Sequence, residues 1–183
     1  MKFRALFVAF LLVCSMALSQ ELKIDVCRKA AERGDVNEQR YLGMCYYEGN
    51  YVPQDYFEAV KWFRKAAEQG YIPAQLNLGE CYAKGHGVQK DLLESVKWYQ
   101  KAAEQGDDAA QGHLVMMYSK QEGVPRDYVL AYMWDLIWCE KTGHTDARYI
   151  ANLLKKMTPE QIERGQELAR NWKPKKWAEL KDK

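Results

Sequence analysis

Residues recur at a strict interval of 36 positions, and this interval limits the chain to a small set of folds. The run Lys-Ala-Ala-Glu-Gln-Gly at 65–70 returns unchanged at 101–106. A fixed period of this size, built from helix-forming residues, is typical of a solenoid of stacked helix pairs. The other recurring residues are Trp62, Trp98 and Trp134; Asp55, Asp91 and Asp127; and Gly34, Gly70 and Gly106.

The middle copy of the repeat predicts two helices. Residues 73–84 carry apolar or small side chains at helical spacing and form the first helix, A. Gly85 and Gly87 follow, and glycine accepts the positive φ with which helices commonly end. Asp91 then suits the N-cap of the second helix, B, and Glu94 three residues later predicts a capping box.

Small residues and tryptophans explain how the helices would pack. Gly43 and Gly79 allow close approach between helices, while the recurring tryptophans fill the gaps between repeats. The third copy differs, because Val115 stands where the other copies have Gly43 and Gly79, and Gln121 stands where the second copy has Gly85. We therefore expect a shifted corner between helices A and B in that copy.

The N-terminus has the features of a secretory signal. A basic start precedes an apolar run at 5–18, and Ala17 and Ser19 supply the small residues of a cleavage site, so we predict a signal peptide at 1–19. The run is short for a hydrocarbon core of about 30 Å, and an uncleaved anchor is the alternative. No later stretch is apolar enough for a membrane span.

The charge of the mature chain argues against polyanionic partners. Cleavage removes Lys2 and Arg4 from the 27 basic residues and none of the 25 acidic ones, so the formal charge becomes zero. A neutral chain lacks the basic surface that nucleic acids require, and we predict no nucleic-acid binding.

The period also sets the domain organisation. A lone helix B at 21–33 would cover the front, before repeats at about 35–70, 71–106 and 107–143. Capping helices at 144–172 would close the back; Thr145 or Asp146 begins one, and Thr158, Pro159 and Gln161 begin the last. A basic tail at 173–183 follows the domain at 20–172, with Trp177 as its only strong anchor.

These patterns resemble a known family, the Sel1-like repeats, which are longer relatives of the tetratricopeptide repeat. The resemblance covers residues 21–172, and Met157 to Ile162 is similar to the C-terminal cap of many exported bacterial members. It implies an α-solenoid that mediates protein–protein contacts as an adaptor or regulator. The motif that carries it is Ala74-Gln75-x-x-Leu78-Gly79-x-x-Tyr82, Gly85-x-Gly87-Val88-x-x-Asp91 and Trp98-Tyr99-x-Lys101-Ala102-Ala103-x-x-Gly106.

The fold class that we predict is all-α, a right-handed α-solenoid of stacked antiparallel helix pairs. In solenoids of this kind the A helices line the concave face. Each copy has three helix A positions, spaced three and then four residues apart, that packing does not claim and that differ between copies. We predict that they bind a protein or peptide, ordinary solvated positions being the alternative. They are Tyr41, Met44, Glu48, Asn77, Glu80, Lys84, His113, Met116 and Lys120. The tyrosines at the first loop form a second patch, which we interpret as packing: Tyr47, Tyr51 and Tyr56.

Four cysteines remain after cleavage, and we interpret them mainly as buried free thiols. Cys45 and Cys81 occupy the same place in successive repeats, roughly 9–10 Å apart, beyond the Cα distance of about 7 Å that a disulfide allows. Cys27 with Cys45 is the best candidate disulfide, and Cys139 completes the set. A cysteine-rich branch of the family, linked to β-lactam binding, carries a regular cysteine pair in each repeat, which this chain lacks.

No catalytic pattern stands out. The chain has no Gly-x-Ser-x-Gly, no phosphate-binding glycine loop, no His-Glu-x-x-His and no Cys-x-x-Cys, and its histidines (His86, His113 and His144) are not grouped. We predict a non-enzymatic interaction module without cofactor or metal, exported to a bacterial periplasm or secreted. The alternatives are an enzyme acting on cell-wall or β-lactam substrates and a structural subunit of an envelope complex.

Overall fold

The computed structural model describes residues 22–143 and 147–180. The predicted signal peptide, the capping candidates Thr145 and Asp146, and His144 lie outside these residues. Within them the chain forms nine α-helices and one short 3-10 helix, and no strand. The helices are α1 (22–32), α2 (Val36–Glu48), α3 (Tyr56–Ala67), α4 (Ile72–Lys84), α5 (Leu92–Glu104), α6 (Asp108–Lys120), α7 (Tyr128–Thr142), α8 (Ala147–Leu154), α9 (Pro159–Asn171) and the 3-10 helix (Trp177–Glu179).

The helices pack as a solenoid of helix pairs, as the period predicts. The pairs α2–α3, α4–α5 and α6–α7 are the three repeats, and each second helix also packs on the first helix of the next pair. Helix α9 packs on α7 and closes the stack. No described helix is both long and apolar enough to cross a membrane.

The recurring aspartates begin the B helices, but the predicted capping box does not form there. The Asp55 carboxylate accepts from the Glu58 N–H at 3.1 Å, whereas the Glu58 side chain pairs with Lys61 at 2.5 Å. The Asp55 N–H donates instead to the Tyr46 carbonyl at 2.9 Å, so helix A already occupies the group that Glu58 would bind. Asp91 and Glu94 behave in the same way.

A complete capping box is present at α9, where the sequence predicts it. The Gln161 N–H donates to Thr158 Oγ1 at 3.3 Å, and the Thr158 N–H donates to Gln161 Oε1 at 3.0 Å. Here the N-cap N–H has no competing carbonyl from another helix. The closing helix therefore begins at Pro159, as predicted.

The corner of the third repeat is not shifted, and this prediction was wrong. Gln121 adopts φ 64°, close to the 76° of Gly85, and its N–H donates to the Met117 carbonyl as a glycine would. The Asp127 N–H donates to the Tyr118 carbonyl at 3.1 Å, the same bond that the N-cap makes in both other corners. The backbone geometry of the corner is kept because a non-glycine residue accepts the left-handed conformation.

In the first two repeats a glycine on helix A faces an aromatic ring on helix B, whereas in the third repeat the A residue is larger and the B residue smaller. A Cβ added at Gly43 would lie 2.6 Å from the Phe63 ring, and one added at Gly79 would lie 2.9 Å from the ring of Tyr99. The position 36 residues after Tyr99 holds Asp135, which is buried and smaller than a tyrosine. This loss of volume leaves room for Val115, so the helices still approach closely.

The three tryptophans are buried between repeats, as predicted. Trp98 on α5 belongs to an apolar cluster built mainly from α3 and α4, and Trp62 on α3 belongs to one built from α1 and α2. Trp134 lies in the large cluster that joins the third repeat to the closing helices, 5.8 Å from the ring of Trp172. Each tryptophan therefore packs its B helix against the helices that precede or follow it.

A buried glutamine recurs in each A helix. Gln75 is fully buried, and its Nε2 donates to the Ala67 carbonyl, at the end of the preceding B helix, at 3.2 Å. Gln39 makes the same bond to Ala31 and Gln111 to Ala103. Each of these carbonyls also accepts a backbone N–H from the glycine three residues later, so the glutamine adds a second hydrogen bond that ties helix A to the end of the preceding B helix.

Candidate functional site

A cavity of about 650 Å³ lies on the A helix face, between α4 and α6. Five of the nine residues predicted to bind a partner line it: Asn77, Glu80, Lys84, His113 and Met116. They meet because α4 and α6 present the same face one repeat apart, which the spacing in each helix implies. The cavity is therefore the part of the predicted surface that the structure brings together.

The walls of this cavity are both charged and apolar. Lys84 forms an ion pair with Glu80 one helical turn away, and Lys90 and Glu122 add one charge of each sign. The remaining lining is mainly apolar and comprises Leu76, Ala83, Leu92, Tyr99, Ala109 and Met117. A ligand that fits both features carries an apolar group together with polar groups of either sign.

An aromatic stack forms one side of the cavity. The His113 ring lies parallel to the Tyr99 ring, with centroids 4.4 Å apart and an interplanar angle of 13°. Burial lowers the pKa of His113 below its ordinary value of 6.5, although nearby Glu80 and Asp107 act in the opposite direction. The imidazole is thus neutral near pH 7 and presents an uncharged wall to a ligand.

Asn77 is held from the neighbouring repeat. The Arg40 Nε donates to Asn77 Oδ1 at 3.1 Å, which joins α2 to α4 across the A helix face. The asparagine amide group is therefore fixed in position beside the cavity.

The other four predicted residues lie elsewhere. Tyr41 lines a separate cavity of about 660 Å³ between α1 and α2, beside Leu22 and Val26, which are 68% and 62% exposed. Met44 is half-buried and packs on the core. Glu48 and Lys120 are exposed in the last turns of α2 and α6. The nine residues thus form one cavity with outlying positions rather than one continuous surface.

The tyrosines at the first corner mainly pack, as interpreted from the sequence. The Tyr47 hydroxyl lies 2.9 Å from His86 Nδ1, and the Tyr56 ring stacks on His86 with centroids 4.5 Å apart. These contacts join the corners of the first and second repeats. Tyr51 is different, since it is 48% exposed and takes φ 67° where the other corners have glycine.

Several lining residues were missed by the sequence argument. Lys90 and Leu92 belong to the corner and start of α5, and Glu122 belongs to the next corner. The spacing within A helices gives no signal for these residues, because it does not show how the corners fold back beside those helices.

The four cysteines in the described part of the chain are free thiols. Cys27 and Cys45 lie in the same buried cluster, and burial raises the pKa of both, that of Cys27 to about 12. Both groups are protonated near neutral pH and therefore poor nucleophiles. Cys81 is buried and Cys139 is half-buried. The Cys27–Cys45 disulfide stays a prediction.

Metal-binding chemistry has no evident location in the part of the chain that the structure describes. No three His, Cys, Asp or Glu side chains in those ranges are grouped so that they could hold an ion.

Comparison with solved structures gives two related solenoids. A Sel1 repeat protein from Oxalobacter formigenes is 36% identical, with a TM-score of 0.63 over 66% of this chain and 50% of that one. A protective antigen of uropathogenic Escherichia coli with an SLR fold is 34% identical, with a TM-score of 0.65 over 87% of this chain and 35% of that one. The chain thus spans half or less of the length of each. No curated protein matches the chain.

The family model for the Sel1 repeat matches three segments of the chain, at 39–71, 72–107 and 109–134. Each segment overlaps one of the three helix pairs, and together the segments cover more than half of the sequence. The chain therefore belongs to the Sel1 repeat family.

Proposed function

We propose that this protein is an exported, non-enzymatic adaptor that holds a segment of a protein partner in the cavity between α4 and α6. Sel1 repeats generally mediate protein–protein interactions, and their fold is typically a non-catalytic scaffold. The observation that carries the proposal is the convergence of five positions from two A helices on one cavity. Those positions differ between repeats, whereas the packing residues beside them recur.

The chemistry of the cavity supports a polypeptide ligand. Met116 is 44% exposed at its edge, and an exposed thioether adapts to apolar side chains of different shapes. Glu80 and Lys84 neutralise each other, so the cavity selects no strongly charged ligand. A rigid groove of this kind loses little conformational entropy when it binds, because each repeat is held by its neighbours.

Site-specific photocrosslinking in cells tests this assignment. A photoreactive amino acid at Met116 is expected to form an adduct of defined mass with one partner protein, identified by mass spectrometry. The matched control is the same amino acid at Leu93, which is 50% exposed on α5 and does not line the cavity, although its neighbour Leu92 does. Equal adducts at both positions would show that the cavity has no special role.

A charge reversal separates the cavity from general surface effects. Glu80→Lys removes the ion pair with Lys84 and should abolish the Met116 adduct. Glu163→Lys on α9 makes the same change at an exposed position away from the cavity and should leave the adduct intact. An adduct that survives Glu80→Lys at equal protein abundance would contradict the proposed site.

We place the adaptor in the bacterial periplasm, with secretion as the alternative. The support is the signal-like sequence at 1–19. Cell fractionation with N-terminal sequencing is expected to find a periplasmic chain that begins at Gln20. A cytoplasmic chain that retains Met1 would contradict export while leaving the cavity proposal intact.

A further inference from the structure

The C-terminal tail docks on a second surface, which is distinct from the cavity between α4 and α6. Trp177 lies directly on Gly70, since a Cβ added at that glycine would be 2.2 Å from the indole Cγ. Pro174 lies over Gly106, 3.4 Å from a Cβ placed there. Leu180 is 3% exposed, so Trp177 is not the only anchor of the tail, contrary to the prediction from sequence.

The tail spacing matches the repeat spacing. Gly70 and Gly106 occupy the same place in successive repeats, at the ends of two B helices. Stacked helices lie about 8–10 Å apart, and three residues of extended chain cover roughly 9 Å. The three-residue step from Pro174 to Trp177 therefore places one side chain over each glycine.

Polar contacts fix the direction and register of the tail. The Lys175 N–H donates to the Glu104 carbonyl at 2.7 Å, a group at the end of α5 that has no partner within its own helix. The Lys175 Nζ also lies 3.1 Å from Glu104 Oε2. Lys101 lies over the Trp177 ring, 5.7 Å from its centroid. One helix end thus binds the tail through its backbone and through its side chains.

The same features recur at the ends of α1 and α3, of which the tail reaches only the second. Glu32 and Glu68 precede Gly34 and Gly70 as Glu104 precedes Gly106, two residues before the glycine in each case. Neither Glu32 nor Glu68 has an ion pair among the described residues. A Cβ added at Gly34 would meet no described atom within 4 Å. The edge of the solenoid thus repeats a glycine surface beside a carboxylate, and one of its copies is open.

We propose that this edge, defined by Gly34, Gly70 and Gly106 with their preceding glutamates, is a docking surface for extended, lysine-bearing protein segments. The segment carries an aromatic side chain three residues after a proline, as the tail does with Pro174 and Trp177. The protein's own tail occupies two of the three positions and competes with such a partner. The seated tail, its register and the recurring carboxylates support this surface, which is separate from the cavity of the proposed function.

Peptide binding to the full chain tests the proposal. The probe is a fluorescently labelled peptide with the sequence of residues 173–183, measured by fluorescence anisotropy. The wild-type chain should bind it weakly, because its tethered tail competes at an effective concentration of order millimolar. Trp177→Ala removes one of the anchors of the tethered tail and so weakens its competition, and we expect this variant to bind the probe at least about tenfold more tightly.

Two controls test the chemistry of recognition. A probe with alanine at the position of Trp177 should bind the Trp177→Ala chain about tenfold more weakly than the original probe. Adding Glu104→Lys to that chain removes the partner of Lys175 and should also weaken binding. Equal binding of the probe by the wild-type and Trp177→Ala chains, or equal binding of both probes, would overturn the proposal.

A second variant keeps the test valid if Trp177→Ala disturbs folding. Lys175→Glu places like charges at Glu104 and weakens the tail while retaining Trp177. Circular dichroism checks that the variant keeps its helical signal, and its affinity for the probe should rise in the same direction. Light scattering that shows wild-type chains joined through exchanged tails would instead make a second copy the occupant and overturn docking within one chain.

Discussion

The Nε2 of Gln105 donates to the buried Oε1 of Gln75 at 2.8 Å, and this bond joins the end of α5 to the start of α4. Gln75 also donates to the Ala67 carbonyl, so one amide group connects three helices. Gln69 and Gln39 form the same pair, at 2.8 Å, one repeat earlier. A chain of amides therefore runs through the B–A junctions, in addition to the apolar core.

The third junction lacks half of this arrangement. Lys141 stands 36 residues after Gln105 and donates to the Gly106 carbonyl, not to Gln111. The Gln111 Oε1 is buried and has no hydrogen-bond partner among the described residues. The two equivalent glutamines thus differ in the number of bonds that depend on them.

This difference predicts unequal effects of the same substitution. Gln75→Leu removes two hydrogen bonds, to the Ala67 carbonyl and from the Gln105 amide, and should lower the free energy of unfolding by about 2 kcal/mol. Gln111→Leu removes one long hydrogen bond, to the Ala103 carbonyl, and a buried oxygen without a partner among the described residues. It should lower the free energy of unfolding by about 1 kcal/mol or less. Urea denaturation measures both. A larger loss for Gln111→Leu would show that the amide chain does not determine the stability of these junctions.

Truncating Trp98 tests the packing between repeats. The indole is 7% exposed and lies among α3 and α4 side chains, so Trp98→Ala should reduce stability by about 3–5 kcal/mol, as emptied aromatic core sites do. Leu93→Ala, at an exposed position of the same helix, should change it by no more than about 0.5 kcal/mol. Thermal melts of both variants give the comparison. A loss below about 1 kcal/mol for Trp98→Ala would place this side chain outside the core.

Two helical glycines should respond oppositely to alanine. At Gly43 the new Cβ would lie 2.6 Å from the fully buried Phe63 ring, and we expect destabilisation by about 1–3 kcal/mol. At Gly112 it would lie 3.6 Å from Trp138, an ordinary contact, and the higher helix propensity of alanine should stabilise by about 0.5–1 kcal/mol. Differential scanning calorimetry measures both shifts. Stabilisation by Gly43→Ala would mean that α2 and α3 have room to separate.

The period explains why so much of the fold follows from sequence. Helix pairs, N-caps and buried tryptophans each recur, so three copies support one interpretation, as Asp55, Asp91 and Asp127 illustrate. The failures concern residues that break the repeat. Gln121 adopts a left-handed backbone conformation that is unusual for a residue other than glycine, and the sequence gives no sign of it. The smaller Asp135 compensates for the larger Val115 because the two residues face each other in the fold, which their separation in sequence does not show.

The candidate site was less predictable than the fold. Helical spacing groups Asn77 with Glu80 and Lys84 correctly, because those residues share one helix. It does not show which repeat faces leave a cavity between them, nor that Lys90 and Glu122 reach it from the corners. The docked tail is harder still, since Pro174 meets Gly106 across 68 residues of sequence and the tail lies outside the repeat period.

Burial of His113 predicts a pH dependence of stability. Its pKa in the folded protein lies below 6.5, mainly because burial disfavours the charged ring, and Glu80 and Asp107 only partly offset this. As pH falls below about 6.5, the unfolded chain takes up a proton at this residue before the folded protein does. The unfolded state is then favoured, so stability should decline as pH falls through 6.5 toward the lower folded-state pKa.

The variant His113→Gln isolates this contribution, because glutamine keeps a polar group of similar size and does not titrate. Between pH 7 and pH 5 the wild-type protein should lose more melting temperature than the variant, although both share every other titrating group. The excess loss belongs to His113, whose ring stacks on Tyr99 and faces Glu80 across the cavity. Parallel melting curves over that range would mean that the His113 ring is protonated as easily in the folded protein as in water, and therefore that the aromatic side of the cavity opens to solvent.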